Sequence, residues 1–140
     1  MTLAKITTVG AGTMGSQVAW QMAFHGKDVT VYDAIAEGLQ KGKALQRQYA
    51  AHFIERRGAS QEQVDETFAR LTYTADLEEA VHDADLVSES VPESPSIKES
   101  FWREASSHAP ARTVFTTNTS TLAPSARRRL RSAPGRSSAC

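Results

Sequence analysis

Apolar and polar positions alternate along the chain in short bursts of two kinds. Ile6 to Val9 form a β-favouring run that stops at Gly10. In the following stretch, GAGTMGSQVAWQMAFHG, the apolar residues Met14, Val18, Ala19, Met22 and Ala23 recur at helical spacing. Gly26 stands where a helix usually ends, and DVTVYD supplies a second β-rich run that closes on Asp33. Strand, glycine turn, helix and strand in that order make one βαβ unit.

The rest of the pattern continues this rhythm after one interruption. From Ile35 to Arg57 the chain is rich in Ala, Gln, Lys and Leu and lacks proline, which predicts a long helix broken near RRGAS. A second helix is expected from Gln61 to Arg70. RLTYTAD then reads as a brief strand, LEEAVHDA as a short amphipathic helix, and DLVSESV as a buried parallel strand. SPSIKESFWREASSH opens with Ser94 as N-cap and Pro95 as first helical residue, and Ile97, Phe101, Trp102 and Ala105 mark its buried face. ARTVFTTN is a fifth strand. Strands alternating with helices predict an α/β sheet, mostly parallel and covered on both faces.

Composition narrows the classes of function. With 140 residues the chain suits one domain. Its formal charge of zero hides an asymmetry, because Arg127, Arg128, Arg129, Arg131 and Arg136 crowd the end and leave an acidic body before them. That balance argues against a nucleic-acid partner. The lone Cys140 provides neither a disulfide framework nor a cysteine metal site, so no metal is expected. No stretch approaches membrane-spanning length and no signal-like segment opens the chain, so the expectation is a cytoplasmic protein with no membrane partner.

The glycines carry the first chemical signal. Gly10, Gly12 and Gly15 spell G-x-G-x-x-G between a predicted strand and a predicted helix, the context in which this pattern binds a dinucleotide. Gly10 allows the tight turn, Gly12 lets the backbone approach a pyrophosphate, and Gly15 lets the helix pack closely on the strand. The helix N-terminus offers free N–H groups to the phosphates. Asp33, at the end of the second strand, stands where a carboxylate accepts hydrogen bonds from the adenosine ribose. No Arg or Lys follows it closely, so NAD is favoured over NADP. The fold class is therefore a Rossmann-type, doubly wound, mostly parallel α/β sheet.

The segments VGAGTMGSQVA, VYDA, ADLVSESVPES and TNTSTL, in this order, resemble the NAD-binding domain of the L-3-hydroxyacyl-CoA dehydrogenases from about Lys5 to about Pro124. The resemblance implies that Thr13 and Met14 join the glycines at the cofactor, and that Glu93, Lys98 and Asn118 lie at its nicotinamide end. It implies Ser120 as the catalytic serine, with its hydroxyl bonding the C3 oxygen of an acyl-CoA substrate. The helices over residues 35–70 match the family's inserted helical arm over the coenzyme A tail, with Tyr49, Arg56 and Arg57 as candidates to touch it.

The resemblance also marks what the sequence lacks. Oxidation of a secondary alcohol needs a base, which this family takes from a histidine in an HF-N segment beyond the serine. His25, His52, His82 and His108 match no such segment, and the family's C-terminal helical domain, which carries its dimer contact, is missing too. Residues 1–125 thus read as the NAD-binding domain, and 126–140 as an Arg-rich irregular tail of the composition a shifted reading frame in a GC-rich gene encodes. The expected function is NAD-dependent oxidation of L-3-hydroxyacyl-CoA to 3-oxoacyl-CoA in fatty acid metabolism, with this chain as the cofactor half, inactive alone. Two alternatives stay open: a non-catalytic NAD-binding or structural protein, and a dehydrogenase of the β-hydroxyacid group.

Overall fold

The fold is that of a computed structural model, which describes residues 3–90 and 95–117, without the side chains of 95, 97 and 98. Its elements run β1 (Lys5–Val9), α1 (Thr13–Phe24), β2 (Asp28–Tyr32), α2 (Ala36–Arg57), α3 (Gln61–Ala69), β3 (Leu71–Thr74), α4 (Leu77–Val81), β4 (Leu86–Glu89), α5 (Pro95–His108) and β5 (Val114–Thr117). The strands form one sheet in the order β3-β2-β1-β4-β5, and each neighbouring pair is parallel. Val9 pairs with both Tyr32 and Glu89, so β1, β2 and β4 end level with one another.

Two layers of helix cover this sheet, each closed by a tryptophan. On one face α1, α2 and α3 pack over Ile6, Val29 and Val31, with Trp20 edge-on to Phe53 and Phe68 at ring separations of 5.7 and 5.2 Å. On the other, α4 and α5 cover Val9 and Val87, and Trp102 meets Phe115 at 4.6 Å. The central strand buries two polar residues as well, Thr7 and Thr8; the Thr7 hydroxyl donates to the Ala80 carbonyl.

The buried stripe of α1 differs from the one its apolar spacing suggests. Gly15, Ser16, Ala19, Trp20 and Ala23 are buried, whereas Met14 is 55% exposed. Small side chains let the helix approach the sheet closely, and the one large member of the stripe, Trp20, packs against Phe53 of α2 and Phe68 of α3.

Helix α2 is the long helix expected, about 33 Å from end to end at 1.5 Å per residue, and Gly58 closes it in the left-handed conformation at φ 67. Ser60 then opens α3 with a capping box completed by Gln63. Much of α2 packs along α1 through Leu39, Gly42, Gln46, Ala50 and Phe53, so it serves as the covered crossover between β2 and β3. The buried Gln46 amide donates to the Ser16 carbonyl at 3.2 Å, and the Tyr73 hydroxyl donates to the Gln46 carbonyl oxygen. Burial pushes the Tyr73 phenol up to about 12, against an opposing pull from Arg47.

At the opposite end of the sheet an exposed charge network gathers three strand entries. The Asp85 carboxylate accepts from the Ala4 and Lys5 N–H groups at 3.0 Å and from Arg112 at 3.1 Å, while Asp83 pairs with Lys5 and Arg112. The Lys5 backbone bond, followed by Arg112, holds the Asp85 carboxyl below its ordinary range, and Lys5 does the same for Asp83. A carboxylate held low in the folded state adds stability above its unfolded pKa and loses it as pH falls through the folded value. Replacing Asp85 with Asn should therefore lower the melting temperature at neutral pH and leave a smaller loss on acidification, which thermal unfolding across pH will read. Trp20→Ala should cost about 3–5 kcal/mol by opening a core cavity, measured as the shift in urea unfolding.

Candidate dinucleotide site

Above the level ends of β1, β2 and β4, the turn that leaves β1 decides what can fit. Gly10 has φ 96, and a Cβ on it would lie 2.9 Å from the Ser90 carbonyl oxygen. Only glycine adopts that backbone without strain. The turn is held on both sides: Gly10 N–H donates to the Tyr32 carbonyl at 2.8 Å, and Ser90 N–H donates to the Val9 carbonyl at 2.9 Å. A Cβ on Gly15 would sit 1.9 Å from the Gly10 carbonyl oxygen, so the first turn of α1 rests directly on the loop.

The loop's outer side is the reverse of this crowding. A Cβ on Gly12 would meet nothing within 4 Å. Gly12 is also the N-cap of α1, which has no side-chain cap and no acidic residue in its first turn. Uncapped N–H groups and the positive end of the helix dipole are what an anion needs. The open backbone at Gly12 therefore fits a pyrophosphate.

Asp33 stands beside that loop and is bonded to it. Its Oδ2 accepts from Ala11 N–H at 3.0 Å and its Oδ1 from Ile35 N–H at 2.9 Å. Each carboxylate oxygen keeps a further lone pair, enough to accept from sugar hydroxyls. Together these groups line a cavity of about 560 Å³, shared by Val9, Gly10, Ala11, Gly12, Tyr32, Asp33, Ala34, Ile35, Leu77, Ser90, Phe101 and Glu104. That volume suits a small-molecule site. The cavity lies where the strand order turns about β1, the place where open α/β sheets take their ligands.

The residues expected from the sequence separate into four groups. Gly10, Gly12 and Asp33 line the cavity, and Gly15 lies under it. Thr13 and Met14 open α1 beside the loop and are exposed. Tyr49 donates from its hydroxyl to the Thr13 carbonyl at 3.3 Å, while Arg56 and Arg57 end α2 in an exposed position, with the Arg57 guanidinium 4.7 Å above the Phe53 ring. Glu93, Asn118, Ser120 and the tail over 126–140 lie outside the described residues, as does the side chain of Lys98.

Two sets of residues escaped the sequence reading. Ile35, Leu77, Phe101 and Glu104 also line the cavity; Phe101 and Glu104 are one turn apart on α5, a spacing that puts both on one side of the helix. Beneath the loop, Ser16 donates to the Ala11 carbonyl at 2.9 Å and its own carbonyl accepts from Gln46, which links the loop to α2 and β3. The signal for Gln46 was its place in the stripe Leu39, Gly42, Gln46, Ala50, Phe53. Among the described residues, no helix is long and apolar enough to cross a membrane, and no group of three His, Cys, Asp or Glu side chains could hold a metal.

A parallel sheet in this order, with an uncapped helix over a glycine loop and an acid at the neighbouring strand end, defines an α/β dinucleotide-binding domain of the dehydrogenase type. Comparison with known proteins makes the class specific, since the family described as "3-hydroxyacyl-CoA dehydrogenase, NAD binding domain" matches residues 5–137. The chain belongs to this family, and NAD is its cofactor. It is 31% identical to the mitochondrial hydroxyacyl-coenzyme A dehydrogenase of Rattus norvegicus over 122 residues, covering 84% of this chain and 39% of that protein. An L-carnitine dehydrogenase of Staphylococcus epidermidis is 32% identical over 121 residues, covering 86% of this chain and 36% of its own length. A solved diketoreductase, described as acting on dicarbonyl compounds, superposes with a TM-score of 0.84 at 41% identity, covering 90% of this chain and 45% of its own. The chain thus spans about two fifths of the curated relatives it matches.

If Asp33 holds the ribose, Asp33→Ala should weaken NADH binding by at least roughly tenfold, since hydrogen bonds to a charged group contribute about 1.5–3 kcal/mol each. Fluorescence titration with NADH checks this, and unchanged affinity removes the assignment.

Proposed function

We propose that the chain is the cofactor-holding half of an NAD-dependent dehydrogenase that oxidises L-3-hydroxyacyl-CoA to 3-oxoacyl-CoA in fatty acid metabolism, and that it turns over poorly by itself. The observation that carries this reading is the cavity in which the open backbone at Gly12 and the Asp33 carboxylate face one space. When bound there, NAD supplies the acceptor for the hydride that leaves the alcohol carbon.

The chain's own residues bind and orient. The loop from Gly10 to Gly12 and the N–H groups of α1 hold the pyrophosphate, and Asp33 holds the adenosine ribose. By resemblance, Glu93, Lys98 and Asn118 serve the nicotinamide end, and the Ser120 hydroxyl steadies the substrate's C3 oxygen. The proton of the alcohol needs a separate acceptor. His25, His52, His82 and His108 are exposed on helices or at their ends, and none of them lines the cavity. The base is therefore assigned to a histidine outside this chain, in the helical domain through which the family also dimerises.

A second reading is favoured by one observation. The diketoreductase is 41% identical, above the 31% of the rat enzyme, and the L-carnitine dehydrogenase stands at 32%. Those names point to a 3-oxo or 3-hydroxy compound without coenzyme A. The choice of ligand separates the two readings. With coenzyme A as carrier, the NAD-loaded chain should bind acetoacetyl-CoA at least roughly tenfold more tightly than acetoacetate, about 1.4 kcal/mol from contacts to the carrier. Calorimetry checks it; equal binding favours the substrate without coenzyme A. Full turnover of acetoacetyl-CoA by the 140-residue chain alone overturns the assignment of the base to another domain.

A further inference from the structure

Besides the glycine loop and Asp33, the cavity is lined by residues of a different character. Among them are Ile35, 64% exposed, Leu77 and Phe101, three apolar residues suited to the faces of a planar ring. Two polar residues line it as well, Tyr32 from the end of β2 and Glu104 from α5. Glu104 follows Phe101 by one helical turn, so the carboxylate and the apolar ring flank the same space. Among the described residues, no side chain or N–H group donates to that carboxylate. An acid facing a ligand cavity with no protein donor is poised to accept a hydrogen bond from the ligand.

We propose that Glu104, together with the Tyr32 hydroxyl, reads the amino edge of the adenine ring and makes this chain select adenine dinucleotides over their hypoxanthine counterparts. The inference rests on the reading that Asp33 holds the adenosine ribose, because that contact is what sends the base toward Ile35, Leu77 and Phe101.

The donor and acceptor pattern is what gives the site its selectivity. A carboxylate only accepts, whereas a phenol hydroxyl can donate. Adenine presents an amino donor beside a ring-nitrogen acceptor, which matches that pair. Hypoxanthine carries a carbonyl oxygen in place of the amino group, and an acceptor set against a carboxylate is repelled. Burial, then the charges of Glu104, Asp33 and Asp76, pushes the Tyr32 phenol above its ordinary range, so it stays protonated and able to donate at neutral pH. Tyr32 and Glu104 line the same cavity, which lets one ligand meet both.

The test compares the affinity of the full chain for NADH and for reduced nicotinamide hypoxanthine dinucleotide by fluorescence titration. Wild type should prefer NADH by roughly tenfold, a modest factor for a charged hydrogen bond because Glu104 is exposed. Glu104→Gln can turn its amide donor toward the hypoxanthine carbonyl, so it should bring the two affinities within roughly twofold of each other. Equal affinities in wild type overturn the proposal, and so does a Glu104→Gln chain that keeps the full preference. Asp33→Ala separates the two levels of the argument: if it weakens both dinucleotides alike while wild type shows no preference, the ribose reading stands and Glu104 is excluded. If it weakens neither, both fall.

Discussion

Helix α1 meets the turn after β1 with no space for a single carbon atom at Gly15, and most of the site follows from that contact. A Cβ there would lie 1.9 Å from the Gly10 carbonyl oxygen, far inside any allowed approach. Because the helix comes so close, its N-terminus stands directly on the loop, and the loop's N–H groups are left for an anion and for Asp33. Pushed outward by a side chain, the same helix would carry the positive end of its dipole away from the loop.

A contact this tight needs support from behind, which α2 supplies through polar groups. The route from Tyr73 through Gln46 and Ser16 to the Ala11 carbonyl is buried along most of its length, and each step is a hydrogen bond. Buried polar groups are costly when unpaired and specific when paired, so this chain of bonds favours one register of α2 on α1 over its neighbours. The glycine loop is thereby held from three directions: by α2 behind it, by β2 and Asp33 beside it, and by the Ser90 end of β4 across the switch point.

The two faces of the sheet divide the work. The α1 face holds the loop, whereas the α5 face contributes Phe101 and Glu104 to the lining of the cavity. Tyr32 belongs to that second face because its neighbour Val31 points to the first, and alternation along β2 places them on opposite sides. The cavity is thus shaped by residues drawn from both layers and from three strand ends, those of β1, β2 and β4, whereas the Asp83, Asp85 and Arg112 network at the far end of the sheet holds the scaffold without touching the ligand space.

What the sequence determined by itself was local. Strand against helix, the turn at Gly10, the break near RRGAS and the acid closing β2 all follow from short-range sterics and hydrogen bonding, and the elements lie within about three residues of their expected bounds. Tertiary structure decided which side of each helix is buried, because that depends on what lies across the gap. Met14 reads as part of an apolar stripe, yet the sheet admits only the small Gly15 and Ala19 at close range and leaves it outside. Gln46 reads only as one glutamine of a helix rich in Ala, Gln, Lys and Leu, and Tyr49 as a candidate for the coenzyme A tail, yet one lies buried at Ser16 and the other bonds the Thr13 carbonyl. Phe101 and Glu104, some seventy positions beyond Asp33 in the chain, join its cavity because a parallel sheet brings successive crossovers to the same edge, a proximity that no local pattern encodes.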